Sequence, residues 1–311
     1  MRRPRALKPG STIGVVAPAS PVDADALQRG IATIEARGYR VVLAPHVQDR
    51  APHCDYLAGI DSARAADLNA MFARQDIDAV FCARGGYGSA RLLDLLDREV
   101  IATNPRIFLG YSDITALHNA IGSCARMITF YAKMVCGLDE LQGEAARLFW
   151  ELLERPDPYG VLPAPPDRLT TLVPGTTEGR LAGGCLSLLG HACGTADPPD
   201  LAGKIVLIED VGEPIYRADR YLIQLRNAGL LQQAAGFVVG HLTRWREEES
   251  PNTPNTPEAL WMDLLAPLNR PAITGFPFGH EPNPLSLPLG AMARLDADAR
   301  TLTLLEPAVS A

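Results

Sequence analysis

The sequence has no stretch able to cross a bilayer. Its long apolar runs, such as residues 205–208 and 236–240, are strand length, far below the ~20 residues that a membrane-spanning helix needs. Basic charge is not in excess either. Lys and Arg total 29 against 36 Asp and Glu, a formal net charge of −7. That balance excludes the electrostatic footprint of nucleic-acid binding and of docking on an anionic membrane, and leaves small molecules or peptides as the expected partners. No CxxC pair occurs among Cys54, Cys82, Cys124, Cys136, Cys185 and Cys193, which suits buried reduced thiols rather than a disulfide framework. The basic start, Met1-Arg2-Arg3-Pro4-Arg5, is followed by a short β-like run at 11–18 with Gly14 inside and no convincing cleavage site. No secretory signal is expected, and the reading is of a cytosolic chain.

What is present is average globular material, 47% hydrophobic and 21% charged residues, enough to fold without a partner. A length of 311 residues predicts two domains of modest size. In the first half, strand-like and helix-like periods alternate. Residues 12–17 and 39–43 read as buried strands, and Leu27, Ile31 and Ile34 between them share one helix face. The pattern continues with a helix at 62–74, a strand at 77–82, a helix at 89–96, a strand at 107–109 and a helix starting near Asp113. Such alternation predicts a mostly parallel sheet covered on both faces, with ligands at the carboxyl ends of its strands. The turns after Cys82 and after Leu109 are therefore the first places to look for a site.

Pro156, Pro158, Pro163, Pro165, Pro166 and Pro174 then crowd one segment, which disfavours helix and central strand. The expected organisation is an α/β domain over 1–155, a proline-rich linker over 156–176 and a smaller mixed α/β domain over 177–311. Strands are predicted there at 204–208, 236–239 and 272–274, with a C-terminal pair around 291–295 and 301–304. Helices fit Ala218, Leu222, Leu225 and Gly229 on one face, and 257–265 after an N-cap at Thr256. Residues 247–257 read as a polar, proline-studded surface loop.

Four segments could carry chemistry. Gly110-Tyr111-Ser112-Asp113 ends a strand and opens a helix, the geometry that exposes a serine hydroxyl and aims helix N–H groups at a developing oxyanion. Ile114 stands where the second glycine of G-x-S-x-G would be, and the tetrapeptide alone equally fits Ser112 or Asp113 as a helix N-cap. Arg84-Gly85-Gly86-Tyr87-Gly88 also joins strand to helix. Its backbone could approach a ligand closely, its spacing matches neither a dinucleotide fingerprint nor a P-loop, and a plain tight turn would need the same glycines. Glu209-Asp210 closes the apolar strand 205–208, with Glu213 four residues on. A carboxylate at the end of a buried strand is costly unless paired or functional. Glu209 could orient a histidine, and Glu213 could bind a substrate ammonium or join a surface ion pair. Of the six histidines, His118 falls within a predicted helix, His191 and His241 adjoin apolar runs, and His46 and His53 lie in a loop region. His280 instead sits in Gly275-Phe276-Pro277-Phe278-Gly279-His280-Glu281, a punctuated loop beyond a strand, where catalytic residues concentrate. His191 with Cys185 and Cys193 matches no zinc spacing.

The order Ser, acid, His is that of hydrolases built on parallel α/β sheets. GYSD at 110–113, RGGYG at 84–88, EDVGE at 209–213 followed by Tyr216-Arg217, and GHE at 279–281 followed by LPLG at 287–290 together resemble the LD-carboxypeptidase family of serine peptidases over nearly the whole chain. The resemblance implies a triad of Ser112 as nucleophile, His280 as general base and Glu209 as orienting acid, divided between two domains that meet at the site. It also implies an oxyanion hole from the backbone N–H groups of Gly86 and Asp113. A flavodoxin-like first domain, a cytosolic homodimer and no metal or cofactor are implied as well. The implied substrate is a murein tetrapeptide that loses its terminal D-Ala during peptidoglycan recycling. The alternative is the related branch that cleaves peptidyl-nucleotide antibiotics and confers self-immunity, from which EDVGE and a short proline-rich loop set this chain apart. Arg84, Tyr87, Glu213 and Arg217 are the candidate substrate-binding residues. A substrate's free carboxylate needs a fixed cation, and Arg forms the planar bidentate pair best suited to it. Arg84, Arg217 and Arg220 compete for that task, and each could instead make a structural ion pair.

Overall fold

The computed structural model describes residues 1–245 and 256–311, and these form two compact units. The first comprises Met1–Asp157, Ser286–Gly290 and Pro307–Ala311; the second comprises Pro158–Leu285 and Ala291–Glu306. The expected loop at 247–257 lies, over 247–255, outside the described residues.

The first unit alternates as its hydrophobic periods predict: β1 (Thr12–Val16), α1 (Ala24–Ala36), β2 (Arg40–Leu43), α2 (Asp61–Ala73), β3 (Ala79–Cys82), α3 (Arg98–Thr103), β4 (Ile107–Gly110), α4 (Thr115–Ala125), β5 (Thr129–Tyr131) and α5 (Gly143–Glu154). Each of β1, β3, β4 and β5 is buried along its whole length, as a sheet covered by helices on both faces requires. Leu27, Ile31 and Ile34 of α1 are buried together, and the side chain of Asp23 accepts the N–H of Ala26 at 2.8 Å, a cap worth about 1 kcal/mol. The five strands run parallel in the spatial order 2-1-3-4-5, which is flavodoxin-like. A short strand from Ser286–Gly290 joins beside β5 in the antiparallel sense, so the sheet is mixed at that edge. The helix expected over 89–96 is a run of 3-10 turns, Ser89–Leu95, and α3 follows it as a separate helix.

The second unit contains β6 (Gly160–Val161), β7 (Thr170–Val173), β8 (Thr176–Cys185), α6 (Leu186–Ala192), β9 (Lys204–Val211), α7 (Ile215–Asn227), β10 (Gly236–Thr243), α8 (Pro257–Leu264), β11 (Ala272–Thr274), and, after β12 (Leu287–Leu289) has been given to the first unit, β13 (Met292–Asp296) and β14 (Thr301–Leu304). Its eight-stranded mixed sheet has the order β6-β14-β13-β8-β9-β10-β11-β7. The segment 156–176, expected as a linker, supplies both edge strands of that sheet. Edges are where proline-flanked strands belong, because an edge needs only one row of N–H donors. On one side of the sheet, Val206, Ile208, Phe237 and Val239 bury against Leu222 and Leu225 of α7 and Trp261 of α8. Thr256 caps α8 as its sequence position predicts, accepting the N–H of Ala259.

Candidate active site

Ser112 stands one residue past the end of β4, and its φ is +62°. A non-glycine residue pays roughly 1–2 kcal/mol for this left-handed conformation, and strain of this kind collects where a side chain must be aimed. Serine therefore does not act as the helix cap that the tetrapeptide alone allowed: the short turn Ser112–Ile114 is flanked by Tyr111, and α4 starts only at Thr115. Ile114, which replaces the second glycine of the elbow pattern, explains Gly110 instead. A Cβ on Gly110 would lie 2.7 Å from Ile114 Cγ2.

Two buried side chains that the sequence did not single out for this purpose hold the elbow's backbone. The N–H of Ser112 donates to the Tyr131 hydroxyl at 3.1 Å. His118 Nε2 lies 2.9 Å from the carbonyl of Gly110, and its Nδ1 lies 2.9 Å from Thr129 Oγ1. A carbonyl only accepts, so Nε2 carries the proton and Nδ1 accepts from the threonine. Burial pushes the His118 pKa down to about 4, and the ring is neutral at pH 7. The helix prediction placed His118 correctly, but its partners come from elements distant in sequence.

The glycine loop lies against the elbow. A Cβ on Gly85 would stand 3.3 Å from Ser112 Cβ, and Gly86 adopts φ +102° where a Cβ would meet Ser20 Oγ at 2.3 Å. Asp113 ties the two turns together. Its Oδ2 accepts the N–H of Ser89 at 2.7 Å, and Ser89 Oγ donates to the carbonyl of Asp113 at 2.5 Å. Burial pushes the Asp113 carboxyl above its ordinary pKa, against the opposing pull of those hydrogen bonds. Among the described residues no backbone carbonyl accepts the N–H of Gly86 or of Asp113. Arg84 is exposed and donates through Nη1 to the carbonyl of Pro21 at 2.9 Å. Tyr87 is exposed beside Tyr56.

The second unit holds the other two residues of the expected triad, and it brings them together. Glu209 is fully buried near the end of β9, and its Oε2 lies 2.7 Å from His280 Nδ1 and 3.2 Å from the backbone N of His280. With the carboxylate accepting, Nδ1 is the donor in this contact. The loop 275–281 earns its rigidity from Phe276 and Phe278, both buried, and from the N–H of Phe276 donating to Val239 at 3.0 Å. Gly279 makes room for the acid: its φ is +81°, and a Cβ there would stand 2.3 Å from the Glu209 carboxylate. Next to this pair, His241 Nδ1 and Glu281 Oε1 form a second one at 2.7 Å, which composition and spacing did not reveal. That contact raises the His241 pKa and lowers that of Glu281. Glu213, just before α7, and Arg217, in its first turn, approach at 3.6 Å, and the Arg217 and Arg220 guanidinium groups both lie over the Tyr216 ring.

Comparison with known proteins fixes the class: this chain is a peptidase. Residues 13–132 match the LD-carboxypeptidase N-terminal domain and residues 178–295 the LD-carboxypeptidase C-terminal domain. The chain belongs to the LD-carboxypeptidase family. A Streptomyces coelicolor protein provisionally named a carboxypeptidase is 42% identical over 310 residues, covering 99% of this chain and 97% of its own. A Bacillus subtilis protein provisionally named a murein peptide carboxypeptidase is 37% identical, covering 97% and 94%. The solved muramoyltetrapeptide carboxypeptidase from Oxalobacter formigenes is similar at a TM-score of 0.81 with 28% identity, over 94% of this chain and 98% of that one. The microcin C7 self-immunity protein MccF, in an inactive-mutant apo state, reaches a TM-score of 0.89 over 99% of both chains at 24% identity, a likeness of fold alone.

Proposed function

We propose that this protein is a serine carboxypeptidase that removes the terminal D-Ala from murein tetrapeptides, acting as a cytosolic homodimer in peptidoglycan recycling. His280 Nε2 takes the proton of Ser112 Oγ, because a serine hydroxyl is a weak nucleophile until a neighbour removes that proton. The oxygen attacks the carbonyl of the diamino acid, and the N–H groups of Gly86 and Asp113 hold the oxyanion. His280 then returns the proton to the departing D-Ala nitrogen, leaving an ester on Ser112 that water hydrolyses. Glu209 fixes the tautomer of His280 and stabilises the imidazolium, as the acid does in the Ser-His-Asp template. Glu213 receives the ammonium of the diamino acid, one of Arg84, Arg217 and Arg220 clamps the substrate carboxylate, and Tyr87 contributes to holding the peptide.

The observation that carries this reading is the 2.7 Å bond from His280 Nδ1 to a fully buried Glu209, because a buried carboxylate is costly unless it is paired. It is tested by following D-Ala release. Ser112→Ala and His280→Ala should each lower kcat by several orders of magnitude, and the double variant should be little worse, since residues that act as a unit are not additive. Additive losses would sink the triad, as would Glu213→Gln being more damaging to kcat than Glu209→Gln. A tetrapeptide amidated at D-Ala, and a pentapeptide, should both be refused. Comparable turnover of the amidated peptide would favour an amidase of the antibiotic-immunity type.

A further inference from the structure

Three loops converge at the carboxyl ends of β1, β2 and β3, and one hydroxyl joins them. Ser20 Oγ donates to the carbonyl of Tyr56 at 2.8 Å and accepts the N–H of Tyr87 at 3.0 Å. The two tyrosine rings so anchored are 51% and 52% exposed, and they meet edge to face with centroids 5.8 Å apart and planes 66° apart. Aromatic rings this large are costly to leave in water, yet these are held in place. Arg91, four residues on from Tyr87, forks onto Asp61 with Nε to Oδ1 at 2.9 Å and Nη2 to Oδ2 at 2.7 Å. Asp61 is in turn gripped by the buried guanidinium of Arg64, which also donates to the carbonyls of Pro18 and Gly88. The strand order 2-1-3 makes this end of β1 the topological switch point of the sheet, where ligands of open α/β folds bind.

We propose that Tyr56 and Tyr87 form a platform for the sugar ring of a muramoyl peptide, an inference that rests on the peptidase reading above. The chemistry selects the occupant. A pyranose offers a C–H face to an aromatic ring and hydroxyls to a rim of charged hydrogen-bonding groups, and Arg91 and Asp61, 40% and 27% exposed, supply that rim. A cation is disfavoured by Arg91 beside Tyr87, and a wholly apolar group by the ion pair. Position selects which part of the substrate arrives. Gly85 approaches Ser112, and Tyr87 lies two residues further along, at most about 7 Å of chain. A carboxypeptidase releases a single residue, and the sugar of a muramoyl tetrapeptide stands three residues to the acyl side of the scissile bond, roughly 10 Å of extended chain, the side toward which rings projecting beyond that backbone can reach.

The test compares kcat/KM for muramoyl-tetrapeptide and free tetrapeptide. The wild-type protein should prefer the muramoyl substrate by about tenfold, the scale of one aromatic contact. Tyr56→Ala should bring that ratio close to one, mainly through KM of the muramoyl substrate, and Tyr56→Phe should keep it. A wild-type ratio near one, or a ratio that Tyr56→Ala leaves unaltered, would overturn the platform. The Kd of each compound for Ser112→Ala protein is measured in parallel by calorimetry. If neither compound is hydrolysed, the peptidase reading fails, and the binding ratio, with the same Tyr56 variants made in the Ser112→Ala background, still decides the platform: about tenfold tighter muramoyl binding supports it and equal binding refutes it.

Discussion

Replacing Gly279 with alanine strikes at the acid without touching a triad residue. The backbone there has φ +81°, which costs an L side chain roughly 1–2 kcal/mol, partly offset by the ~0.4–1 kcal/mol that alanine removes from the freedom of the unfolded chain. The new Cβ would also sit 2.3 Å from Glu209 Cδ and Oε2. Relieving that overlap costs about 1–3 kcal/mol in a packed interior, and the movable atoms are those of the carboxylate. Gly279→Ala should thus destabilise the second unit by about 3 kcal/mol, measured as a lower urea midpoint. Gly194 is the control, since it has the same φ of +81° with nothing within 4 Å of a Cβ; its alanine variant should lose only about 1 kcal/mol. In D-Ala release, Gly279→Ala should lower kcat by about 10²–10⁴, the scale set by loss of the correct imidazole tautomer in the serine-triad template, and Gly194→Ala should be close to wild type. If Gly279→Ala loses the expected stability yet keeps kcat within a fewfold of wild type, the orientation of His280 does not depend on Glu209.

Ser112→Gly should unfold at no lower urea than Ser112→Ala, because glycine relieves the left-handed strain at φ +62° that alanine retains; at an ordinary right-handed site alanine would win by about 0.5–1 kcal/mol. His118, buried with a pKa of about 4, refuses a proton that the unfolded chain takes up near pH 6.5. Stability should therefore fall as pH drops from about 6.5 toward 4, by up to roughly 3 kcal/mol, and urea midpoints of His118→Gln should show a flatter pH profile. The His241–Glu281 contact behaves oppositely on its alkaline side. With the His241 pKa raised, its contribution is complete below about pH 6.5 and fades as pH rises through the folded value, while the lowered Glu281 pKa keeps it until pH falls below the ordinary carboxylate range. Amide exchange of loop 275–281 should consequently be accelerated by His241→Ala more at pH 6 than at pH 9, and equal acceleration at both would count against the pair as a clamp on that loop.

Much of this arrangement was legible because hydrophobic period and glycine placement act locally. The alternation from Thr12 to Asp113 reports a covered parallel sheet, and Gly85 and Gly86 mark a close backbone approach before any partner is known. The partners themselves were not legible. Tyr131, which accepts the N–H of Ser112, and Ser20, which joins Tyr56 to Tyr87, are unremarkable residues whose meaning comes from contacts 19 to 67 positions away. The prolines of 156–176 forbid a central strand, and only the sheet order shows that β6 and β7 are edges. His241 and Glu281 read as two unconnected polar residues until β10 and the loop beyond β11 bring them within 2.7 Å.

The interleaving of the two units along the chain bears on how such a protein can be made and inherited. The strand Leu287–Leu289 and the contacts of Ser310 with Pro4 and Ala6 complete the first unit, although its remaining elements end at Glu154. A ribosome has therefore emitted Pro158–Leu285, most of the second unit, before the elbow-bearing sheet acquires its last strand, so residues 1–157 by themselves are a sheet with an uncovered edge at β5. Such an edge invites pairing with other chains. Recombination that exchanged one half for a foreign module would sever that late strand from its sheet, which favours inheritance of the two halves as a single indivisible gene product.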